Sequence, residues 1–323
     1  MRPDADITGN GPHDGAAARQ SGDGLRPQTL LFTFLGRHAL DYPGAVSSSI
    51  LIDVLDELGV SLQAARSTIT RMVNRGHLER HRAGRRAYFT ISPSLRTVLG
   101  EGENRIFRVP VRESGDETWT LLSFSIPENE RAVRHSLRVA LSWNGFGLLR
   151  SGLWIAPGVV DIFATLDRLE LRDRVDVFHA QPADPTYLTR VSREVWDLPS
   201  IAERYHRFID AWRSFEPGPD RHLTTRLQLI TEWQQTLVDD PELPVRHLPD
   251  DWPAVPAYEL FLRLHERLSP GAEKEFARLL ERGEAGLLLD AMNGDPDDGS
   301  ALADEPAPGP TGEEAAHPSA PTA

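Results

Sequence analysis

The chain has 323 residues, 40% of them apolar, and a formal net charge of −13. That length calls for two or three domains with sizeable cores. The absence of cysteine excludes disulfides, a thiolate nucleophile and cysteine-ligated zinc, and no apolar run approaches the roughly 18–20 residues of a membrane span.

Residues 1–26 are rich in Gly, Asp and Ala and have little to bury, so they read as a disordered N-terminal segment. Met1-Arg2-Pro3-Asp4 opens no apolar signal core, and the expected location is the cytoplasm. Residues 27–100 read as the first domain. Leu30, Leu31, Phe34 and Leu35 suit one helical face. Ser47-Ser48-Ser49 offers N-cap oxygens to a helix whose Ile50, Leu51, Val54, Leu55 and Leu58 recur at helical spacing. Gly59-Val60-Ser61 is a three-residue turn, and Ser61 caps a third helix over 62–75. That helix turns Leu62, Ala65, Ile69, Met72 and Val73 inward and Gln63, Arg66, Ser67, Thr70, Arg71 and Asn74 outward. After Gly76, strands over 78–82 and 86–91 are joined around Ala83-Gly84-Arg85, where Gly84 supplies the permissive backbone of a hairpin turn.

Residues 101–190 read as a second domain. A β-rich run over 118–126, a helix over 128–143, short strands over 146–149 and 153–156, a helix over 159–169 and a strand over 174–179 give the order βαββαβ. That is a ferredoxin-like sandwich. Residues 191–290 read as an all-helical third domain, with helices over 198–213, 221–238, 256–268 and 270–282 and a proline-rich stretch between the second and third. Residues 291–323 read as a disordered, acidic, proline-rich tail: from 294 onward there are six prolines, seven acidic residues and no Lys or Arg. The expected class is therefore α+β: an N-terminal winged helix-turn-helix, a central ferredoxin-like domain and a C-terminal all-α domain.

Charge gives the clearest functional signal. Seven arginines and one glutamate lie between Ser61 and Thr90, so this window carries about +6 in an otherwise strongly acidic chain. A local cationic concentration of that kind is built to hold an anion. A helix followed by a basic hairpin is the order in which a winged helix meets DNA. Gln63, Arg66, Ser67, Thr70 and Arg71 can reach base edges and phosphates in a major groove, with Arg82, Arg85 and Arg86 on backbone or minor groove. The competing reading of these side chains is a solvated helix face. A second basic face, Arg131, Arg134 and Arg138, has spacings of three and four on one helix and suits clustered phosphates. Its plain alternative is a solvated face balanced by Glu128 and Glu130. Among the tryptophans of the last block, Trp233 and Trp252 are candidates for an aromatic-ligand pocket, against the usual role of Trp in core packing.

Catalytic signals are poor. Gly145-Phe146-Gly147 continues as Leu148-Leu149-Arg150 and lacks the third glycine of a dinucleotide fingerprint. There is no phosphate-binding loop and no nucleophile elbow. His77 and His81 fall on the first hairpin strand and its approach, not on a metal-binding helix, so no metal and no catalytic residue is expected.

These features together resemble the PaaX family, bacterial repressors of phenylacetic acid catabolism. The resemblance rests on the Arg66-Ser67-Thr68 to Arg71 stretch, Gly76-His77-Leu78-Glu79 and Gly84-Arg85-Arg86-Ala87-Tyr88. It continues through Trp119-Thr120-Leu121, the run from Arg131 to Leu137-Arg138, Trp143-Asn144-Gly145-Phe146-Gly147 and Gly152-Leu153-Trp154-Ile155-Ala156-Pro157. It closes on Asp240-Pro241-Glu242-Leu243-Pro244 and Leu248-Pro249-Asp250-Asp251-Trp252-Pro253. The resemblance implies a homodimeric repressor that binds a double-stranded DNA operator and is released by a small effector, with phenylacetyl-coenzyme A as the family's ligand. It also implies a central domain similar to that of a small CRISPR-associated nuclease family. The alternative function is therefore a metal-dependent nuclease on the ferredoxin-like domain. Against it, Phe124-Ser125-Ile126-Pro127 carries no carboxylate where that family has an acidic residue.

Overall fold

The computed structural model describes residues 25–282, except 41, 43 and 113–117. The tails expected to be disordered, 1–26 and 291–323, lie outside the described residues apart from Leu25 and Arg26. The described chain mixes helix and strand.

Helix α1 (Pro27–Phe34) starts with proline at its first position, where a missing N–H costs nothing, and runs on through a wider turn over Leu35–Ala39. Strand β1 (Val46–Ser47) leads into α2 (Ser48–Glu57), whose N-cap Ser47 accepts from Ile50 N. Gly59, at φ 80°, closes α2, and Val60 N donates to Leu55 O at 2.9 Å. Helix α3 (Leu62–Asn74) is capped by Ser61. Strands β2 (Leu78–Ala83) and β3 (Arg86–Ile91) then form the hairpin, and the sheet order is β1-β3-β2.

Helix α4 (Pro93–Ile106) has no counterpart in the sequence reading. Gly100 and Gly102 interrupt its apolar pattern, and the expected boundary at 100/101 falls inside it. Strands β4 (Trp119–Phe124), β5 (Gly147–Arg150), β6 (Leu153–Pro157) and β7 (Val175–Ala180) form an antiparallel sheet in the order β5-β6-β4-β7. Helix α5 (Arg131–Trp143) connects β4 to β5, and α6 (Phe163–Arg168) connects β6 to β7. Alternation along β4 and β6 splits the sheet. Leu122, Trp154 and Ala156 pack with Leu137, Leu141 and Leu166 of α5 and α6, while Trp119, Leu121 and Ile155 face the C-terminal helices.

Those helices are α7 (Pro185–Val195), α8 (Leu198–Trp212), α9 (His222–Thr236) and α10 (Ala254–Arg282). Helix α7 is an addition to the expected elements, and the 190/191 boundary falls within it. Its signal is local: Asp184, just before Pro185, accepts from Thr186 N at 2.9 Å. The two last expected helices are one. Pro270 sits inside α10, and burial of Leu264, Leu268 and Ala272 on both sides of it holds the helix together.

The first unit is not separate from the last. Leu223 and Leu227 of α9 and Ala272 of α10 belong to the same core as Leu30, Leu31 and Phe34 of α1. Thr231 donates to Thr33 at 3.0 Å, and Thr33 to Gln234 Oε1 at 3.0 Å.

Candidate nucleic-acid interface

Helix α3 buries Ala65, Thr68, Ile69 and Met72 and leaves Gln63, Arg66, Ser67, Thr70 and Arg71 exposed together on its outer face. Two of these are partly ordered by their own helix. Arg71 Nη2 donates to Thr68 Oγ1 at 3.1 Å, and the Thr70 hydroxyl donates to Arg66 O at 2.9 Å. Gly76, at φ 71°, then ends the helix.

The hairpin is anchored at its base and charged at its tip. Leu78, Phe89 and Ile91 lie in the core, whereas Arg80, Arg82, Arg85 and Arg86 are exposed. Ala83 pairs with Arg86, so the turn is Gly84-Arg85, with Gly84 at φ 57°. Among the described residues Arg66, Arg80, Arg82 and Arg85 form no ion pair, and the surface keeps its positive potential. The two histidines of the sequence reading are absorbed locally. His81 Nε2 bonds Thr90 Oγ1 across the hairpin at 2.8 Å. His77 is buried beside Phe32, and burial, then Arg75, lowers its pKa. Among the described residues no group of three His, Cys, Asp or Glu is placed to hold a metal ion.

The second basic face is a shallow crevice of about 220 Å³ lined by Arg131, Arg134, His135 and Arg138 on α5. Glu130, expected to balance it, instead accepts two bonds from Arg174 at 2.7 and 3.1 Å.

The tryptophans do not join that face. Trp233 is fully buried, stacks on Phe261 at 5.0 Å between ring centroids and donates Nε1 to Ile106 O at 2.9 Å. Of the two candidate pocket residues, Trp233 has its ring and its single donor engaged by core neighbours. Trp252 is half-buried near Tyr205, in the same cluster as Trp233. The four-stranded sheet stands between these rings and the α5 crevice.

Three family models match the chain in order: PaaX-like protein over residues 26–95, the PaaX protein central Cas2-like domain over 112–191, and the PaaX-like protein C-terminal domain over 196–278. The chain belongs to the PaaX family. It is 26% identical over 276 residues to the transcriptional repressor PaaX of Escherichia coli (strain K12), which spans 80% of this chain and 84% of that protein. An uncharacterized protein from Mycobacterium tuberculosis has a similar fold, with a TM-score of 0.51 and 23% identity over 77% of this chain and 97% of that one.

Within this PaaX-family chain, several motif residues serve the packing of the fold. Gly145, at φ 79°, lies where an added Cβ would be 3.4 Å from Pro241 Cα, and a Cβ on Gly147 would overlap Val195 and Trp196. The Gly-Phe-Gly step thus makes room for the Pro241 backbone at Gly145 and for the Val195 and Trp196 side chains at Gly147. Asp240, buried, accepts from Glu242 N at 2.8 Å and from the Tyr205 hydroxyl. Burial raises its pKa to about 6. Arg105 Nη2 donates to Leu237 O and Asp240 O at 3.0 and 2.9 Å, tying α4 to the proline-rich segment. No local pattern announces this brace, because Arg105 lies 132 and 135 residues from its two acceptors. Among the described residues no helix is long and apolar enough to cross a membrane.

Proposed function

We propose that this chain is a cytoplasmic DNA-binding transcriptional repressor that acts without chemistry of its own. In this reading the first unit is a winged helix-turn-helix. Helix α3 enters the major groove with Gln63, Arg66, Ser67, Thr70 and Arg71, and the β2–β3 hairpin lays Arg82, Arg85 and Arg86 on the backbone or minor groove. The central unit is a ferredoxin-like domain and the last an effector-responsive helical domain. The observation that carries the reading is the exposed arginine surface of α3 and the hairpin on a chain of net charge −13. The name of the E. coli relative supports the same role.

The target is a double-stranded operator, bound by a homodimer, in front of an aromatic, phenylacetate-type catabolic operon. The releasing effector is an acyl-coenzyme A such as phenylacetyl-coenzyme A, whose phosphates sit in the Arg131, Arg134 and Arg138 crevice. A gel-shift experiment with DNA from the chain's own genomic neighbourhood, repeated with Mg²⁺ or Mn²⁺ and with the thioester, tests these statements. Expected are an intact shifted band and its release by the thioester. Shortened DNA refutes the repressor reading in favour of a nuclease.

A further inference from the structure

The junction between α1, α9 and α10 holds a buried positive cluster. Arg226 on α9 is 2% exposed. Its Nε and Nη2 both approach one acceptor, His265 Nε2 on α10, at 3.2 and 3.1 Å. A guanidinium has five N–H donors, and a single imidazole nitrogen satisfies it poorly. Among the described residues Arg226 has no ion-paired carboxylate; Glu273 raises its pKa only from a distance. Burial, then Arg37, lowers that pKa to about 10.

His38, after α1, completes the cluster. It is 8% exposed, lies 4.7 Å from the Phe276 ring, and its Nε2 has no hydrogen-bond partner among the described residues. Arg226 and Arg37 are near enough to depress its pKa, after burial, to about 3, and the same causes bring His265 to about 3. The outer edge is half-exposed. Arg37 stands over Phe107 at 5.5 Å, and Phe107 meets His265 at 5.0 Å. Two guanidinia and two neutral imidazoles therefore lie within electrostatic reach of one another, with no carboxylate bonded to Arg226 and with an unpartnered ring nitrogen on His38. A buried charge left in that state is costly.

We propose that this junction is a binding site for a small oxyanion, a carboxylate or an inorganic phosphate, held by Arg226 and His38 and admitted past Arg37 and Phe107. The anion accepts the spare guanidinium donors and a proton-bearing His38 Nε2. It neutralises the seam between the α1–α3 unit and the C-terminal helices, and so favours one placement of the first unit. The regulatory consequence rests on the DNA-binding reading; the binding site does not.

The test is a thermal-stability titration of the full chain with acetate, benzoate, sulfate and phosphate at constant ionic strength, with chloride as reference. It is paired with ¹⁵N spectra of the arginine Nε–H groups. Expected is a saturable rise in Tm with at least one oxyanion and a selective shift of one buried arginine signal. Carboxylates acting alone identify a metabolite acid, and phosphate acting alone an inorganic ligand. Arg226→Met should abolish the rise. His38→Phe keeps the ring packing against Phe34 and Phe276 and should weaken binding about tenfold or more; it serves if Arg226→Met does not fold. A surface control, Arg207→Ala, whose side chain is 65% exposed on α8, should bind as the parent does. No saturable effect with any oxyanion, or an effect unchanged in His38→Phe, overturns the proposal. Loss of DNA shifting with anion binding intact sinks the DNA reading and leaves this site standing.

Discussion

Helix α9 is capped from another helix, and removing that cap should be felt as far as α1. Its N-cap residue, Arg221, has φ 66° and supplies no side-chain acceptor. Glu275 of α10 does so instead, accepting from Leu223 N at 2.8 Å, from His222 N at 3.1 Å and from His222 Nδ1 at 3.3 Å. Its side chain is 22% exposed, so screening by solvent is only partial. An N-cap replacement costs roughly 0.5–2 kcal/mol, and a favourable charge at a helix N-terminus adds about 0.3–1 kcal/mol. Glu275→Ala should therefore cost about 2 kcal/mol. Glu275→Gln keeps an acceptor without the charge and should cost about half of that. Urea unfolding followed by tryptophan fluorescence measures both, since Trp233 is fully buried on α9, two residues from the α1 contact residue Thr231. Leu223 and Leu227 share a core with α1, so amide exchange in α1 should quicken in Glu275→Ala. A loss below about 0.3 kcal/mol in the alanine variant, against the cap range above, would refute the cap. Unchanged exchange in α1 would refute the coupling.

Arg66→Ala or Arg71→Ala should each cost about 1–3 kcal/mol at the specific site through loss of a base contact, and less on random duplex. Equal losses on both duplexes would demote them to backbone contacts. Arg82→Ala, Arg85→Ala and Arg86→Ala should each flatten the log–log salt dependence of binding by roughly 0.9, and an unchanged slope in the triple variant removes the hairpin from the interface. His38 has a lowered pKa, so its stabilising neutrality is complete above its ordinary 6.5 and is lost as pH falls toward about 3. Without added oxyanion, going from pH 7 to pH 5 should cost the parent about 2 kcal/mol more than His38→Phe; parallel pH profiles would show that His38 titrates freely. Gly147→Ala should destabilise by about 1–3 kcal/mol because its Cβ meets Val195 and Trp196, and a neutral result would mean that these side chains can yield.

The sequence by itself determined the elements whose causes are local. The Ser47 and Ser61 caps, the Gly59 and Gly84 turns and the apolar spacing of α2 and α3 all act within a few residues. The same periodicity put Arg66 and Arg71 outward, because burying Ile69 and Met72 leaves them no other side. Helix α4 is not legible in the sequence because its glycines break the pattern and its reasons to be helical lie in contacts such as Arg105 with Leu237 and Asp240. The tertiary structure alone decided that Trp233 is core. It also decided that a carboxylate on α10 caps α9, and that Arg226, His38 and His265 meet at one seam. Each joins residues tens or hundreds of positions apart, and only the packing of helices against one another sets which side chains share a buried space.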